Sequence, residues 1–593
     1  MLFILAIMLA SPDAVYLNHD VTLYCSSPDS GYSEVTREVI IPLTARGVEH
    51  YRELVSSFRN TWESLEISIA EIRHWRPGRG TDDAVLRETP HRSLLPDGRL
   101  ESSLRELFVE FPGIEIGDTL IIEIRRYIDY LPMDDFYSYT YFAAARDSIS
   151  AGTFRVFWPA DREIHISTDD LPQPEITLFN DTTVCYLWST YSYGPIAALP
   201  FSQNTAECSP AVTIASHLPV EVSAGLFTVL DETLMQDYEP AADSILKITG
   251  YEPVNISRWV SGEIEYLSGN WGRDPGYTPR FPVVTLNEHA GVCRDKAVLL
   301  LWLLRRAGHD PYAILTSTSG SIRELVGSRS FDHMLVALDV NTNEVMFLDP
   351  VNRFSEDGYS YTLRGAEYLP LTASGSELKI FPDKYNLDSL SIQIRGTFDA
   401  DSGMIHGNIN VTMSGAADEL FRSMFAGVAL DSRTLLLETL FGVLPGSDIH
   451  LDGDPNMTSQ PLFVHGSGSW DCSYIRKDDS FYILIPGLET FDLVGSRASA
   501  YVLPDIRDNV FIETPYNAHL RLDLTGLPSG SPEIPEPHSS INYSIEINYI
   551  DEYLRMDEFM SLMPMIPDSS QLVDLRSGLL SRMSGYFRTV VFR

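Results

Sequence analysis

Three side chains in this sequence have the types and the order that nucleophilic acyl chemistry needs: Cys293, His333 and Asp349. Cys293 lies in Gly291-Val292-Cys293-Arg294-Asp295-Lys296. There a polar lead-in, Asn287-Glu288-His289, gives way to the apolar run Ala297-Val298-Leu299-Leu300-Leu301-Trp302-Leu303-Leu304. The run leaves little polar face, so it predicts a buried, rigid helix that begins at the cysteine. A thiol at a helix N-terminus feels the positive end of the macrodipole and the first-turn N–H groups, which favour thiolate over thiol. Gly291 allows a sharp turn and a close backbone approach. Arg305 and Arg306 suit the negative helix end, and Gly308 is a natural stop.

His333 opens a second apolar run, Met334 to Leu338, which reads as a strand. Asn341-Thr342-Asn343 reads as a turn and Val345 to Leu348 as the returning strand. A hairpin of that length sets His333 near the start of one strand and Asp349 at the end of its antiparallel neighbour. A carboxylate placed there would fix the imidazole tautomer and stabilise the imidazolium. The cysteine has to arrive from elsewhere, and the helix supplies it. Taken alone, a buried cysteine is ordinarily a small apolar filler; the histidine and aspartate give it a chemical reading.

These motifs together resemble the transglutaminase-like core, a papain-related Cys-His-Asp fold. Its members show a G-x-C helix start, an aromatic-x-His strand and an L-D-P strand end. Gly291-Val292-Cys293, Phe331-Asp332-His333 and Leu348-Asp349-Pro350 match the three in order, across roughly residues 220 to 370. The resemblance implies Cys293 as nucleophile, His333 as general base and acid, and Asp349 as orienter. It implies thiol-dependent acyl transfer on protein or peptide amides, with no cofactor. Arg294 stands where animal cross-linking members usually have tryptophan. The form Cys293-Arg294-Asp295-Lys296-Ala297 is typical of bacterial members, which favours hydrolysis and leaves transamidation open. An inactive fold acting as an extracytoplasmic peptide-binding or interaction module is the alternative. The Cys293 N–H would contribute to an oxyanion hole, with Tyr266 and Trp271 as side-chain candidates. Asp295 and Lys296 read as capping or salt-bridging residues, Asp332 as a surface group or a support for its neighbours, and His289 and His309 as loop residues. No His/Cys cluster has zinc spacing.

The 593 residues carry 43 basic and 82 acidic side chains, a net charge of −39. That charge opposes nucleic-acid binding and docking on anionic membranes. Lysine occurs at only five positions, Lys247, Lys296, Lys379, Lys384 and Lys477. Such a chain is a poor isopeptide acceptor for its own cross-linking. Leu2 to Ala10 is apolar and too short to span a membrane; with Ser11-Pro12-Asp13-Ala14 it reads as a signal peptide over residues 1–14. No later run approaches a transmembrane length. A periplasmic or secreted location follows, in which Cys185 and Cys208 could pair.

The expected fold class is α+β and multidomain. Residues 15–170 read as a β-sandwich-like domain, 171–222 as a connecting segment, 223–370 as the papain-like core, and 371–593 as a mainly β domain with helices. Alternation over Val35–Leu43, Leu65–Arg73 and Thr119–Tyr127, with turns at Pro112-Gly113 and Gly117-Asp118, carries the first reading. That layout resembles the domain of unknown function that precedes the core in many bacterial transglutaminase-like proteins. In the last domain, Ser389–Gly396 and Ile405–Met413 read as a hairpin around Asp399-Ala400-Asp401-Ser402-Gly403, a loop with partial calcium character but no distal glutamate. Ala416–Leu440 reads as two helices. Strands are expected near 480–486, 498–503 and 541–549, then a helix over about 569–587 and a last strand, Thr589–Phe592.

Overall fold

In the computed structural model the described residues are 12–25, 31–90, 104–129, 131, 133, 136–196, 209–235, 240–267, 279–318, 322–323, 325–326, 330–341, 344–355, 358–382, 389–458, 460–477, 480–488, 516–529, 531–539, 543–550, 553–562 and 589–592. The expectations for Cys208, Trp271, 498–503 and the helix at 569–587 lie outside them. The chain divides into two compact units: Met1–Ala198, Asn204–Val351 and Gly365–Phe381; and Leu199–Gln203, Asn352–Arg364 and Pro382–Arg593.

The N-terminal part is an eight-stranded sheet. Its order is Glu175–Asn180, Thr183–Tyr193, Ser148–Pro159, Ala14–Tyr24, Tyr32–Pro42, Thr119–Ile128, Glu63–Arg73, Thr81–Asp83. Alternation makes it two-faced. Phe154, Val156 and Trp158 point to the core, whereas Arg155 and Phe157 between them do not. One end packs on a three-stranded sheet through Val212, Ile214 and Tyr141, and the other packs through Ile72, Leu120 and Val109 on a second such sheet. The sandwich-like reading thus has two cores.

Residues 171–222 are not a connection. They supply the two outermost strands on one side of the large sheet, the strand Ala211–Ala215 and the start of the helix Pro219–Leu234. Trp188 is buried in the sheet's core. Pro172, Pro174, Pro195 and Pro210 sit between strands, whereas Ser189 and Ser192 lie inside one, and sheet pairing with distant partners overrides the linker signal. Ala14 and Asp13 are also built in: Ala14 N–H donates to Asp147 (3.0 Å) and the Asp13 carboxylate accepts from the Thr44 hydroxyl (2.6 Å).

Next come helices Pro219–Leu234, Pro240–Thr249, Pro253–Glu263, Pro282–Glu288 and Cys293–Arg306. Proline begins the first four, where its missing N–H costs nothing. They surround an antiparallel sheet of order Glu344–Leu348, His333–Asn341, Pro311–Thr316, Glu367–Pro370, Lys379–Ile380. Ala297 to Leu304 are buried without a break, so the Cys293 helix is the hub of this core.

The second unit holds another eight-stranded sheet, with Ser389–Asp399 and Met404–Ser414 as the expected hairpin and helices Ala416–Phe425 and Leu430–Leu440 packed into its core. In the hairpin turn, Asp399 accepts from the Asp401 N–H (3.0 Å) and the Ser402 hydroxyl (2.6 Å). The carboxylate is used by its own turn. Among the described residues no group of three or more His, Cys, Asp or Glu side chains could hold a metal ion. No helix among them is long and apolar enough to cross a membrane.

Candidate active site

The helix Cys293–Arg306 begins at the cysteine itself, with Val292 as its cap residue in extended conformation. Asp295 closes the turn. Its carboxylate accepts from the Val292 N–H (3.3 Å), the Arg280 N–H (3.0 Å) and Arg280 Nε (3.1 Å), and Arg294 Nε lies 3.5 Å away. Arg280 also donates to the Ala290 carbonyl and pairs with Glu288. A Cβ on Gly291 would stand 2.9 Å from the Asp295 Cβ, so the close approach expected of this glycine is real. Asp295 is fully buried. Asp295→Ala would leave Arg280 and Arg294 without their common anion, and the cost should be about 3–5 kcal/mol. A fall of that size in urea-unfolding free energy is the expected result.

Lys296 is buried one residue on. Its Nζ donates to the Ile264 carbonyl (2.7 Å), just past the end of the helix Pro253–Glu263. The charge therefore caps a neighbouring helix and is not aimed at the cysteine.

His333 and Asp349 meet across the hairpin. Val336 pairs with Leu348, which places Asp349 one residue past the pairing and near the first residue of the other strand. His333 Nε2 is 3.0 Å from Asp349 Oδ2, and Asp349 Oδ1 accepts from the Val351 N–H at 2.8 Å. Both side chains are nearly buried, at 10% and 3% exposure. Cys293 is close enough to His333 to act on its charge. With Nε2 occupied by Asp349, Nδ1 is the ring nitrogen left for the thiol. Burial opposes charge on His333, but Asp349 and Cys293 outweigh it and push its pKa from 6.5 up to about 10. The structure thus brings Cys293, His333 and Asp349 into one cluster. Cys293 itself is partly exposed.

Asp332 supports the strand entrance. Its carboxylate accepts from the Thr318 N–H (2.7 Å) and hydroxyl (2.9 Å), and its carbonyl oxygen is 3.8 Å from Cys293 Sγ. His309 bonds the Tyr251 carbonyl (2.9 Å) and His289 ends a helix in left-handed conformation. Neither joins the cluster.

Tyr266 does. Glu265-Tyr266 pairs in parallel with Ala290-Gly291, and the Leu267 N–H reaches the Gly291 carbonyl (3.1 Å). That pairing holds Tyr266 beside the Cys293 turn. Its phenol pKa is raised, first by burial and then by Cys293, Asp349 and Asp332. The two-residue pairing is too short to leave a periodic signal in the sequence. Tyr266 was among the oxyanion candidates, whereas Arg280 was missed, since nothing local marks it as the partner of Asp295.

Residues 28–196 match the family described as "Domain of Unknown Function with solved-structure structure (DUF3857)". That span covers the strands of the N-terminal sheets from Tyr32–Pro42 to Thr183–Tyr193, but not Ala14–Tyr24 or Ala211–Ala215. The fold of the chain is similar to that of a solved protein from Parabacteroides distasonis named as a candidate protease. The TM-score is 0.67 at 12% identity, over 98% of this chain and 100% of that one. At that identity the likeness is one of fold. Legionella pneumophila aminopeptidase A in complex with aspartic acid aligns with a TM-score of 0.20 at 10% identity, over 38% of this chain and 26% of that one. Yeast LTA4 hydrolase gives 0.19 at 14% identity, over 34% and 29%. Scores this low carry no argument. No curated protein matches the chain.

Proposed function

We propose that this protein is a thiol-dependent acyl-transfer enzyme acting on protein or peptide amides, with hydrolysis as its main outcome. The observation that carries this reading is the single cluster of Cys293, His333 and Asp349, with Cys293 at a helix N-terminus. An imidazolium beside the sulfur stabilises its thiolate. The thiolate attacks the amide carbon, forming a C–S bond and an oxyanion. His333 gives its proton to the leaving nitrogen as the C–N bond breaks. Water, deprotonated by the now neutral His333, then attacks the thioester, and collapse of the adduct breaks the C–S bond, releasing the acid and restoring the thiolate and imidazolium. An amine in place of water would give transamidation. Asp349 holds His333 in the tautomer that leaves Nδ1 toward the sulfur. The apolar stretch from Leu2 to Ala10 supports an extracytoplasmic site of action.

The Cys293 N–H and the Tyr266 phenol are the donors we assign to the oxyanion. Tyr266→Phe should lower kcat by about 10²-fold, the usual cost of one such donor. Iodoacetamide alkylation of Cys293, which builds no oxyanion, should be unchanged. Equal losses in both would mean that Tyr266 only supports the fold.

The test of the function is intermediate trapping. Denatured casein is incubated with the protein, quenched in acid, and the tryptic Cys293 peptide is weighed by mass spectrometry. An acyl adduct on Cys293 that disappears with hydroxylamine, together with new casein amino termini, is the expected result. An unmodified Cys293 that also alkylates like a free thiol would sink the enzyme reading and leave a binding scaffold.

A further inference from the structure

The strand Glu175–Asn180 ends the large N-terminal sheet. It bonds to Thr183–Tyr193 on one side, and no strand among the described residues follows on the other. All six of its residues are exposed. Three are large and apolar: Ile176 is 61% exposed, Leu178 68% and Phe179 64%. Soluble proteins usually blunt such an edge with charge, proline or a cover. Here prolines 172 and 174 stop just short of it, and the only charge on the strand is Glu175. A bulge between Leu178 and Asn180 turns Phe179 out of register. Its ring meets Phe157 edge-on at 4.8 Å, and Phe157 stacks on Tyr24 at 5.0 Å.

Those three rings line a cavity of about 410 Å³, whose polar part is formed by Asp161, Arg162, Thr182 and Thr183. It shares no residue with the Cys293 cluster. Its size is within the range of pockets that take small organic groups. A free sheet edge that ends at an aromatic pocket fits one shape of ligand. Main-chain hydrogen bonds to the edge require an extended strand, and the pocket takes one of that strand's side chains.

We propose that this edge and its cavity form a docking site for an extended peptide, with apolar residues at alternate positions, an aromatic side chain for the cavity, and basic residues alongside. The basic character follows from charge. Between residues 161 and 183 there are six acidic side chains, Asp161, Glu163, Asp169, Asp170, Glu175 and Asp181, against Arg162 and the Arg323 that pairs with Asp169 at 3.0 Å. A second copy of this strand would satisfy the edge but would bring the same acidic neighbours, and its own Phe179 already serves as a wall of its own cavity. The site stands whether or not Cys293 turns over.

The test is fluorescence anisotropy with the full chain and a labelled peptide, Lys-Val-Lys-Val-Lys-Phe-Lys-Val. Two probes serve as controls: one with proline replacing the valine before phenylalanine, and one with phenylalanine replaced by serine. Micromolar binding that weakens with salt, and that falls at least ten-fold with either control, is expected. Leu178→Lys and Phe179→Ser, both at exposed positions, should each lower affinity at least ten-fold while Cys293 alkylation stays as in the wild type. Equal binding of the three probes would overturn the proposal, because charge alone would then suffice. So would undiminished binding to both variants, or a wild-type dimer in light scattering that Leu178→Lys converts to monomer.

Discussion

Cys293→Ala should abolish amide turnover, with a loss of about 10⁴-fold or more, and His333→Ala should cost nearly as much. The double variant should be little worse than either single one. In the proposed mechanism the Cys293 sulfur and the His333 imidazole act as one unit, so removing either partner should remove the attack on the amide. Nδ1 of His333 is the only ring nitrogen free for the sulfur, because Asp349 holds Nε2 at 3.0 Å. Additive losses would contradict this geometry, since they would mean that the two groups act at separate steps. Stability gives the needed control. Cys293 is partly exposed, and its helix is held by Asp295, Lys296 and the buried run behind it. Cys293→Ala should therefore shift the urea midpoint little while eliminating activity. A large loss of stability would turn the cysteine back into a packing residue.

The parts of this site that were legible in the sequence are those whose signals are local. An apolar run preceded by Gly291-Val292 marks a helix start, and eight consecutive buried residues confirm how fully that helix is enclosed. Met334–Leu338 and Val345–Leu348 flank a turn signal, and they do pair antiparallel. What could not be read is what long-range pairing decides. Nothing in Glu265-Tyr266 says that it will pair with Ala290-Gly291, and nothing in Arg280 says that it will bridge Asp295, Glu288 and the Ala290 carbonyl. The same limit explains the error over residues 171–222. Pro172, Pro174, Pro195 and Pro210 are true loop signals, but Thr183–Tyr193, serines included, is a long strand whose place beside Ser148–Pro159 depends on residues far away in the chain. The turn at Gly117-Asp118 lies between these cases. Its turn character is local, whereas the role of Asp118 is not. That buried carboxylate accepts from the Trp75 and Glu115 N–H groups and faces His74, which Asp82 flanks on the other side.

Asp349→Asn should produce the second large effect, and its signature is in pH. The asparagine can keep the bond from the Val351 N–H, so the loop should hold its place. At the other atom an amide N–H replaces the carboxylate oxygen and turns Nε2 of His333 into an acceptor. The ring proton then moves to Nδ1, the wrong tautomer for receiving a proton from the thiol, a change that costs a serine-protease triad about 10⁴-fold in kcat. Charge changes as well. Burial favours neutral His333, and Asp349 is the main opposing influence that lifts its pKa to about 10. Without Asp349 the imidazolium should be lost at neutral pH, and alkylation of Cys293 at about pH 6 should slow at least ten-fold. Stability should follow the same linkage. In the wild type His333 is raised from 6.5 to about 10, so its contribution is complete below pH 6.5 and disappears as pH climbs through about 10. Urea midpoints should fall across that window in the wild type and stay flatter in Asp349→Asn. A variant that keeps the wild-type slope would show that another group titrates there, and that Asp349 does not hold the charge on His333.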